Sequence, residues 1–437
     1  MPTIAMTAMP GNPIGHKPSA RPFAKMASTL LFLACLIPYI SPVPIAGDVQ
    51  PIAIGIATLI FSQVFLFHRL PSSYWLLAFP TLIALILLLD SKGGGVIEMF
   101  RTLTFYLSPM IFTGALLYVL RNVPINLSAI TSAALLIWTA GGFFQITFGL
   151  EIFSFLLTDV RSSYTRGVTS FSNEPSFFGL TMILIFILCL VQRDLKPWKV
   201  GLIGFNIVYV AQSSVAIMIC AAMAVAYMLS NSKAFAISAL LAIIFFTQME
   251  TITQLLLGQL AGIDSRVAGL ARAVLENPGQ VLARDASVAS RFIAIAAPVY
   301  TFVTDLGMPH GYSIRAWHTA IGEMKDVAPE LFHAYYLTGG IDSGYGKALF
   351  QIGFPALVYP ILFAVWIFQM DRLPLRSRVV AIVGFTAIMM NAITLANPLP
   401  FVILAYALHS RHDEAARAAD RVSRTRSPTN SRLIAPA

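Results

Sequence analysis

Long apolar runs, separated by short polar segments, constrain the fold of this chain more than any other feature. Of its 437 residues, 57% are hydrophobic and 11% are charged, whereas a soluble domain carries about 25% charged residues. A transmembrane helix needs about 20 apolar residues to cross about 30 Å of hydrocarbon. The sequence therefore predicts an all-α polytopic membrane protein. About twelve transmembrane helices are expected, at residues 26–45, 51–68, 73–90, 99–120, 127–149, 175–192, 198–212, 213–230, 234–252, 346–369, 377–392 and 393–409.

The basic residues predict how these helices are oriented. If the N-terminus lies inside and the helices alternate, lysines and arginines concentrate in the short cytoplasmic segments, as the positive-inside rule requires. Both termini are then cytoplasmic, and the number of transmembrane helices is even. Because this topology accounts for the net charge of +9, we expect no nucleic-acid partner.

The same pattern divides the chain into five regions. A proline-rich leader and a basic tail are expected to be disordered and cytoplasmic, and the arginines of the tail are expected to contact anionic membrane lipids. The regions are the leader 1–25, the first nine transmembrane helices 26–252 with the outer loop 150–174, the large outer loop 253–345, the last three transmembrane helices 346–409, and the tail 410–437. Pro398 and Pro400 fall inside the last predicted helix and are expected to kink it.

Short amphipathic helices are expected in the large outer loop. Apolar residues recur with helical spacing in Ser265–Leu275, and again in Ile314–Met324, where they follow i, i+3, i+7 and i+10. A third apolar stretch, Ser287–Val303, would make the number of spans odd if it crossed the membrane. We therefore interpret it as an interfacial or re-entrant helix.

The first outer loop contains one set of candidate site residues. Arg161, Arg166 and Glu174 lie just before an apolar run. Arginine presents a planar fork that suits phosphate oxygens and stays charged, so these arginines could bind an anionic, lipid-linked substrate or contact lipid head groups. Glu174 precedes Pro175, which favours a helix start. Its carboxylate could act as a general base, or it could cap that helix or interact with the helix dipole.

The large outer loop contains the second set. Arg291 has apolar neighbours, so its charge needs a partner, and Arg284 and Arg315 are alternatives to it. The histidine spacing fits no zinc motif, and the acidic residues form no pair suited to a divalent metal. The sequence therefore predicts metal-independent chemistry and no cofactor. Three histidines are either structural residues or possible bases for an acceptor hydroxyl: His310, His318 and His333.

Two stretches resemble a known family. The residues Arg166–Gly179, RGVTSFSNEPSFFG, resemble the Arg…Glu-Pro-Ser…Gly segment of bacterial O-antigen and exopolysaccharide polymerases. Ala211–Ser214, AQSS, is similar to a serine-containing turn of that family. The predicted layout, with about twelve spans and a large late outer loop, is also similar to that of the O-antigen polymerase and ligase superfamily.

The resemblance implies an inverting, metal-independent glycosyltransferase of the C-type in the bacterial inner membrane. Its donor would be an undecaprenyl-pyrophosphate-linked glycan, and its acceptor a second lipid-linked repeat unit at the periplasmic face. Arg166 matches the arginine that holds the donor pyrophosphate, and Arg291 is the best match for its counterpart in the large loop. The resemblance also implies that a chain-length regulator and other polysaccharide-assembly proteins are partners.

Two other functions remain open from the sequence. An O-antigen ligase would share the architecture and use a catalytic histidine of the large loop, but the Glu-Pro-Ser stretch favours a polymerase. A flippase or other secondary transporter would need ionisable residues deep in its spans. The predicted spans contain few such residues apart from Arg101, near a helix end.

Overall fold

The computed structural model describes a defined part of the chain: residues 22–40, 51–67, 70–90, 96–157, 167–231, 269, 272–273, 275–276, 286–327, 329, 341 and 343–411. Several predicted features lie outside these residues. They are most of the leader, most of the basic tail, the predicted span 234–252, most of Ser265–Leu275, and the site candidates Arg161, Arg166, Arg284 and His333.

Helices account for most of the described residues, which contain no β-strand, so the prediction of an all-α protein is confirmed for this part of the chain. The helices are α1 (Pro22–Leu36), α2 (Pro51–Phe67), α3 (Ala78–Asp90), α4 (Val96–Asn122), α5 (Leu127–Phe148), α6 (Pro175–Val191), α7 (Pro197–Phe205), α8 (Ser214–Leu229), α9 (Ala286–Thr304), α10 (Ile314–Val327), α11 (Gly344–Ile352), α12 (Val358–Phe368), α13 (Leu375–Asn391) and α14 (399–411). Short 3₁₀ turns precede α3 and α12, and a π-helical turn, Asn206–Val210, extends α7.

Three of the described helical stretches are long and apolar enough to cross a membrane: Ser72–Leu89, Glu98–Asn122 and Leu127–Phe148. Shorter apolar helices of 10–17 residues lie at Ala24–Leu36, Pro51–Leu66, Pro175–Val191, Ser214–Leu229, Ala289–Thr304 and Phe354–Phe368. This apolar, helical character is typical of a membrane protein. The total number of spans stays a prediction.

Helix α6 is the centre of the bundle. Its sequence is apolar on every side, so each of its faces must be covered by other helices or by lipid. Helices α5, α8 and α13 pack around it, and nearly all of its side chains from Phe178 to Val191 are buried. The residue that precedes this buried helix is Glu174.

Helix α10 is the amphipathic helix expected at Ile314–Met324, and α9 covers the stretch Ser287–Val303, which is helical as expected. Helix α10 buries Trp317, Ile321 and Met324, as their spacing predicts, whereas Ile314 at its start is exposed. The buried face packs in a small apolar cluster with α9 and with Phe350 of α11. Helix α9 also packs against α13, so this part of the loop is joined to the bundle.

Pro398 and Pro400 do not kink the last helix, and the prediction that they would is wrong. Residues 392–398 form a non-helical connection, and α14 begins only at residue 399. Both prolines therefore lie at the start of a helix. Proline is tolerated there because the N–H groups of the first turn have no acceptor within the helix.

Candidate functional site

The connection from α5 to α6 ends in a buried, non-helical segment, residues 167–174. Thr169, Ser170 and Ser172 are fully buried, and buried backbone groups must find hydrogen-bond partners inside the protein. Gln145 of α5 provides them. Its amide nitrogen donates to Thr169 Oγ1 at 2.9 Å, and its carbonyl oxygen accepts from Ser170 N at 2.6 Å. Gln145 thus fixes the segment against the end of α5.

Close approaches and positive φ angles shape this segment. Gly167 has a φ of +85°, and a Cβ atom there would lie 2.3 Å from the carbonyl oxygen of Ala211. Ser170 has a φ of +51° and donates its hydroxyl to the carbonyl of Trp138 at 2.7 Å. Gly141 of α5 leaves the room that Ser170 needs, because a Cβ atom there would lie 2.6 Å from the serine hydroxyl. Strained residues of this kind persist only when their surroundings determine them.

The two stretches that carry the family resemblance lie side by side. Val168 N donates to the carbonyl of Val210 at 3.0 Å, which joins the segment 167–174 to the turn Ala211–Ser214. In that turn, Ser213 caps α8 with its hydroxyl, which accepts a backbone N–H at 3.2 Å. Two stretches that are distant in sequence therefore form one structural unit beneath the start of α6.

Replacing Gly167 by alanine is expected to destabilise this unit. The left-handed conformation costs an L-residue about 1–2 kcal/mol, and the new Cβ atom would also overlap the Ala211 carbonyl. We expect a lower Tm for the detergent-solubilised protein. Gly201→Ala on α7 is a matched control because open space surrounds that position. Equal Tm values for the two variants would contradict the role given to Gly167.

Glu174 occupies the N-cap position of α6 but does not cap the helix. Its backbone is extended, with φ −139° and ψ 149°, Pro175 begins the helix, and the Glu174 side chain makes no capping hydrogen bond. The carboxylate turns instead towards α9, where Oε2 lies 3.2 Å from Nη2 of Arg291. The capping interpretation of Glu174 is therefore wrong. The structure brings together two residues that the sequence singled out in different loops.

The guanidinium of Arg291 is held where α6, α9 and α13 meet. Its Nη2 donates to Ser176 Oγ at 2.6 Å as well as to Glu174 Oε2, and its Nη1 donates to Asn391 Oδ1 at 3.5 Å. Ser176 in turn donates to the same Glu174 oxygen at 3.2 Å. The side chains of Arg291 and Glu174 are 11% and 23% exposed. We call these four residues the Arg291 cluster.

The Arg291 cluster combines one guanidinium with one carboxylate and two neutral side chains. Its guanidinium is mostly removed from water, where electrostatic interactions are stronger because screening is weaker. The carboxylate of Glu174 offsets the cost of burying that charge. The hydroxyl of Ser176 and the amide of Asn391 orient the guanidinium without adding charge. An anionic group that reaches the accessible part of Arg291 would therefore meet a cation that is already oriented.

Comparison with known families leaves the chain unassigned. No family model matches it, and no curated protein matches it significantly. The resemblance to the polymerases therefore stays an expectation from the sequence, carried by the two similar stretches and the predicted layout. The contact between Glu174 and Arg291 is an independent observation about the same stretch.

His310, one of the possible acceptor bases, lies far from the Arg291 cluster. Its Nε2 is 3.0 Å from Asp305 Oδ2, and its ring stacks on Phe350 with the centroids 4.7 Å apart. Asp305 directly follows α9, whereas Arg291 lies near the start of that helix. At about 1.5 Å per residue, Asp305 and Arg291 are separated by about 20 Å along the helix. The contacts of His310 are those of a structural residue, and it is too distant to serve as the base beside Arg291.

Arg315 and His318 are exposed on α10. The opposite face of α10 packs against α9, so both side chains point away from that interface and are not part of the Arg291 cluster. Arg161, Arg166, Arg284 and His333 lie outside the described residues. Among the residues that the structure does describe, no group of three or more His, Cys, Asp or Glu side chains is placed to hold a metal ion.

Sequence reasoning did not single out Ser176, Asn391 or Gln145 as site residues. Ser176 lies within the Glu-Pro-Ser stretch, two residues after Glu174. Asn391 and Gln145 each lie near the end of a long apolar run. A polar side chain in such a run needs a hydrogen-bond partner. The sequence could therefore have predicted that both residues make hydrogen bonds within the protein. The identity of their partners could come only from the fold.

A second polar cluster lies at the opposite ends of α5 and α6. Asp194, just after α6, accepts hydrogen bonds from Ser128 of α5 and from Lys199 of α7, and it lies 3.8 Å from the Lys196 ammonium. Burial alone would raise the pKa of Asp194. The hydrogen bonds from Lys199 and Ser128 and the charges of both lysines outweigh that effect and hold the pKa below its usual value.

Proposed function

We propose that this protein is a polysaccharide polymerase of the bacterial inner membrane. It would join undecaprenyl-pyrophosphate-linked repeat units of O-antigen or exopolysaccharide at the periplasmic face. The contact between Glu174 and Arg291 carries the proposal. It unites the Glu-Pro-Ser stretch, which resembles the polymerases, with the arginine that best matches the second cation of that family.

The proposed reaction is a glycosyl transfer with inversion. A hydroxyl oxygen of the acceptor attacks the anomeric carbon of the donor sugar. The new carbon–oxygen bond forms as the bond to the pyrophosphate oxygen breaks, and its electron pair leaves with the pyrophosphate. The hydroxyl proton passes to a base. Negative charge therefore grows on the pyrophosphate, where oriented guanidinium groups stabilise it best.

Each residue has a role in this scheme. Arg291 and Arg166 bind the pyrophosphate and neutralise its charge, with Arg161 assisting. Because arginines supply this positive charge, we propose a metal-independent enzyme. Glu174 either accepts the proton of the acceptor hydroxyl or orients Arg291.

The proposed topology has twelve transmembrane helices with both termini in the cytoplasm. The positive-inside rule then places the loops 150–174 and 253–345 in the periplasm, where Glu174 and Arg291 could meet a lipid-linked donor. This arrangement is compatible with the C-type architecture and with a chain-length regulator as partner.

Elongation by the purified protein tests the proposal. Detergent-solubilised protein is mixed with lipid-linked repeat units, and the products are resolved by length. Formation of longer lipid-linked chains supports a polymerase, whereas a transporter would leave the single repeats unchanged because no membrane is present. In cells, long polymer that persists on the carrier lipid after deletion of the gene would identify a ligase instead.

Arg166→Ala is expected to stop chain extension, because the donor pyrophosphate loses one of its cations. Lipid-linked single repeats should accumulate, as measured by mass spectrometry of extracted lipids. Arg376→Ala, at the exposed start of α13, is the matched control and should retain normal polymer. Normal chain length in the Arg166 variant would remove this residue from the site.

A further inference from the structure

We propose that Glu174 and Ser176 are positioning residues that orient the guanidinium of Arg291, and that Glu174 is not the base that accepts the proton. This inference rests on the proposed function, since it assigns roles within the same site. It decides between the two roles that the proposed function gives to Glu174.

The hydrogen bonds of these residues form a closed ring. Nη2 of Arg291 donates to Ser176 Oγ at 2.6 Å and to Glu174 Oε2 at 3.2 Å, and Ser176 Oγ donates to the same Glu174 oxygen at 3.2 Å. A serine hydroxyl has a single proton to donate. Since Ser176 directs that proton to Glu174, its lone pairs face the arginine. Every donor in the ring is thus matched to an acceptor.

The local backbone explains why two side chains of α6 meet one arginine. Pro175 fixes the start of the helix between Glu174 and Ser176, so both side chains project from its first turn. The Glu174 carboxylate makes no capping hydrogen bond and lies beside Arg291 instead. From the other side, Asn391 at the end of α13 accepts from Nη1 of Arg291 at 3.5 Å. The guanidinium is therefore held from two helices other than its own.

This geometry suits orientation better than proton transfer. A general base must direct a lone pair at the proton that it removes, within hydrogen-bond reach. Glu174 Oε2 already accepts from Ser176 and from Arg291. An arginine side chain is long, and its guanidinium accelerates the reaction less when it is free to move. Misplacement of a catalytic group by about 1 Å can cost about 100-fold in rate.

Replacement by glutamine separates the two roles. Glu174→Gln keeps an oxygen that can accept from Ser176 and Arg291 but cannot act as a base. We expect it to elongate lipid-linked repeats within about tenfold of the unaltered rate, the size expected when a charged acceptor becomes neutral. Glu174→Ala should lose about 100-fold, because the arginine is no longer oriented. Glu151→Gln, an exposed residue of the same outer loop, is the matched control.

The pH profile of elongation provides a second readout. If Glu174 only positions Arg291, the acidic limb of kcat/KM belongs to another group and persists in Glu174→Gln. Ser176→Ala should lower kcat/KM in the same direction as Glu174→Ala and leave the shape of that profile unchanged. This variant also keeps the test available if Glu174→Ala does not fold.

Two different results would overturn two different claims. If Glu174→Gln is as inactive as Glu174→Ala, or if it loses the acidic limb, Glu174 is the base and the positioning role is wrong. If instead Arg291→Ala elongates normally, the Arg291 cluster is not the polymerase site. The proposed function itself fails if the unaltered protein leaves lipid-linked single repeats unextended in the same assay. Comparison of the unaltered protein, Arg291→Ala and Glu174→Gln in one assay therefore distinguishes these failures.

Discussion

Arg291→Ala is expected to lower the rate of chain elongation by about 10²–10³-fold, the usual effect of removing one group that stabilises developing negative charge. The pyrophosphate leaving group would lose a cation that is mostly buried and already oriented by Ser176, Glu174 and Asn391. The measurement is the single-turnover rate with purified protein and lipid-linked repeat units.

Arg291→Lys should recover only a small part of this rate. A lysine keeps the charge, but its ammonium group is compact and cannot present the planar fork that contacts Ser176, Glu174 and Asn391 together. The control is again Arg376→Ala, which removes an exposed arginine from the far end of α13. If Arg291→Lys and the unaltered protein elongate at the same rate, charge alone suffices and the oriented fork has no role.

Loss of the arginine also removes its ion pair with Glu174, so the fold of each variant must be checked. The contact joins α9 of the large loop to the start of α6. We expect a modest fall in Tm for Arg291→Ala, because the pair is only partly buried. A variant that elongates poorly but elutes as a single species and retains its helical circular dichroism supports a role in the reaction.

The sequence predicts much of this arrangement because the membrane leaves few alternatives. An apolar helix such as α6 must be kept from water by other helices or by lipid, and a cation such as Arg291 on an apolar stretch must find a partner. The helical period of α10 predicts its buried face, and Trp317 and Ile321 are buried as expected. Each of these predictions follows from a local pattern and a single physical requirement.

Other features depend on contacts that no local pattern contains. Asn391 reaches Arg291 across 100 residues, and Glu174 reaches it across 117, so the choice of Arg291 over Arg315 as the partner comes from the packing of α9 and α10. The prolines of α14 gave a wrong prediction because helix-breaking residues inside an apolar run can also mark a new helix start. Apolar composition alone cannot distinguish a proline that kinks a helix from a proline at the start of a new helix.

A second large effect is expected at the other end of the bundle, where Asp194→Ala should destabilise the protein by about 3–5 kcal/mol, as found when one partner of a buried ion pair is removed. The Lys199 side chain is 1% exposed, and that of Asp194 is 14% exposed. Without Asp194, the Lys199 ammonium would stay buried near the Trp198 ring and would lose its carboxylate. The measurement is Tm in detergent.

The reciprocal variant should be milder. Lys199→Met removes the buried charge and keeps a stem of similar size, while Asp194 retains the hydrogen bond from Ser128 and the nearby charge of Lys196. We therefore expect a clearly smaller fall in Tm than for Asp194→Ala. Equal losses in the two variants would show that the interaction energy of the pair, rather than the uncompensated lysine, determines stability.

Acid provides an independent check on the same cluster. The folded protein holds the pKa of Asp194 below its usual value, so the ionised carboxylate contributes stability above the unfolded pKa of about 3.9. That contribution is lost as the pH falls through the lower, folded value. The Tm difference between the unaltered protein and Asp194→Ala should hence be constant near neutral pH and shrink under strongly acidic conditions. A difference that grew on acidification would show that Asp194 binds its proton more tightly in the folded state, opposite to the effect expected from its contacts with Lys199 and Ser128.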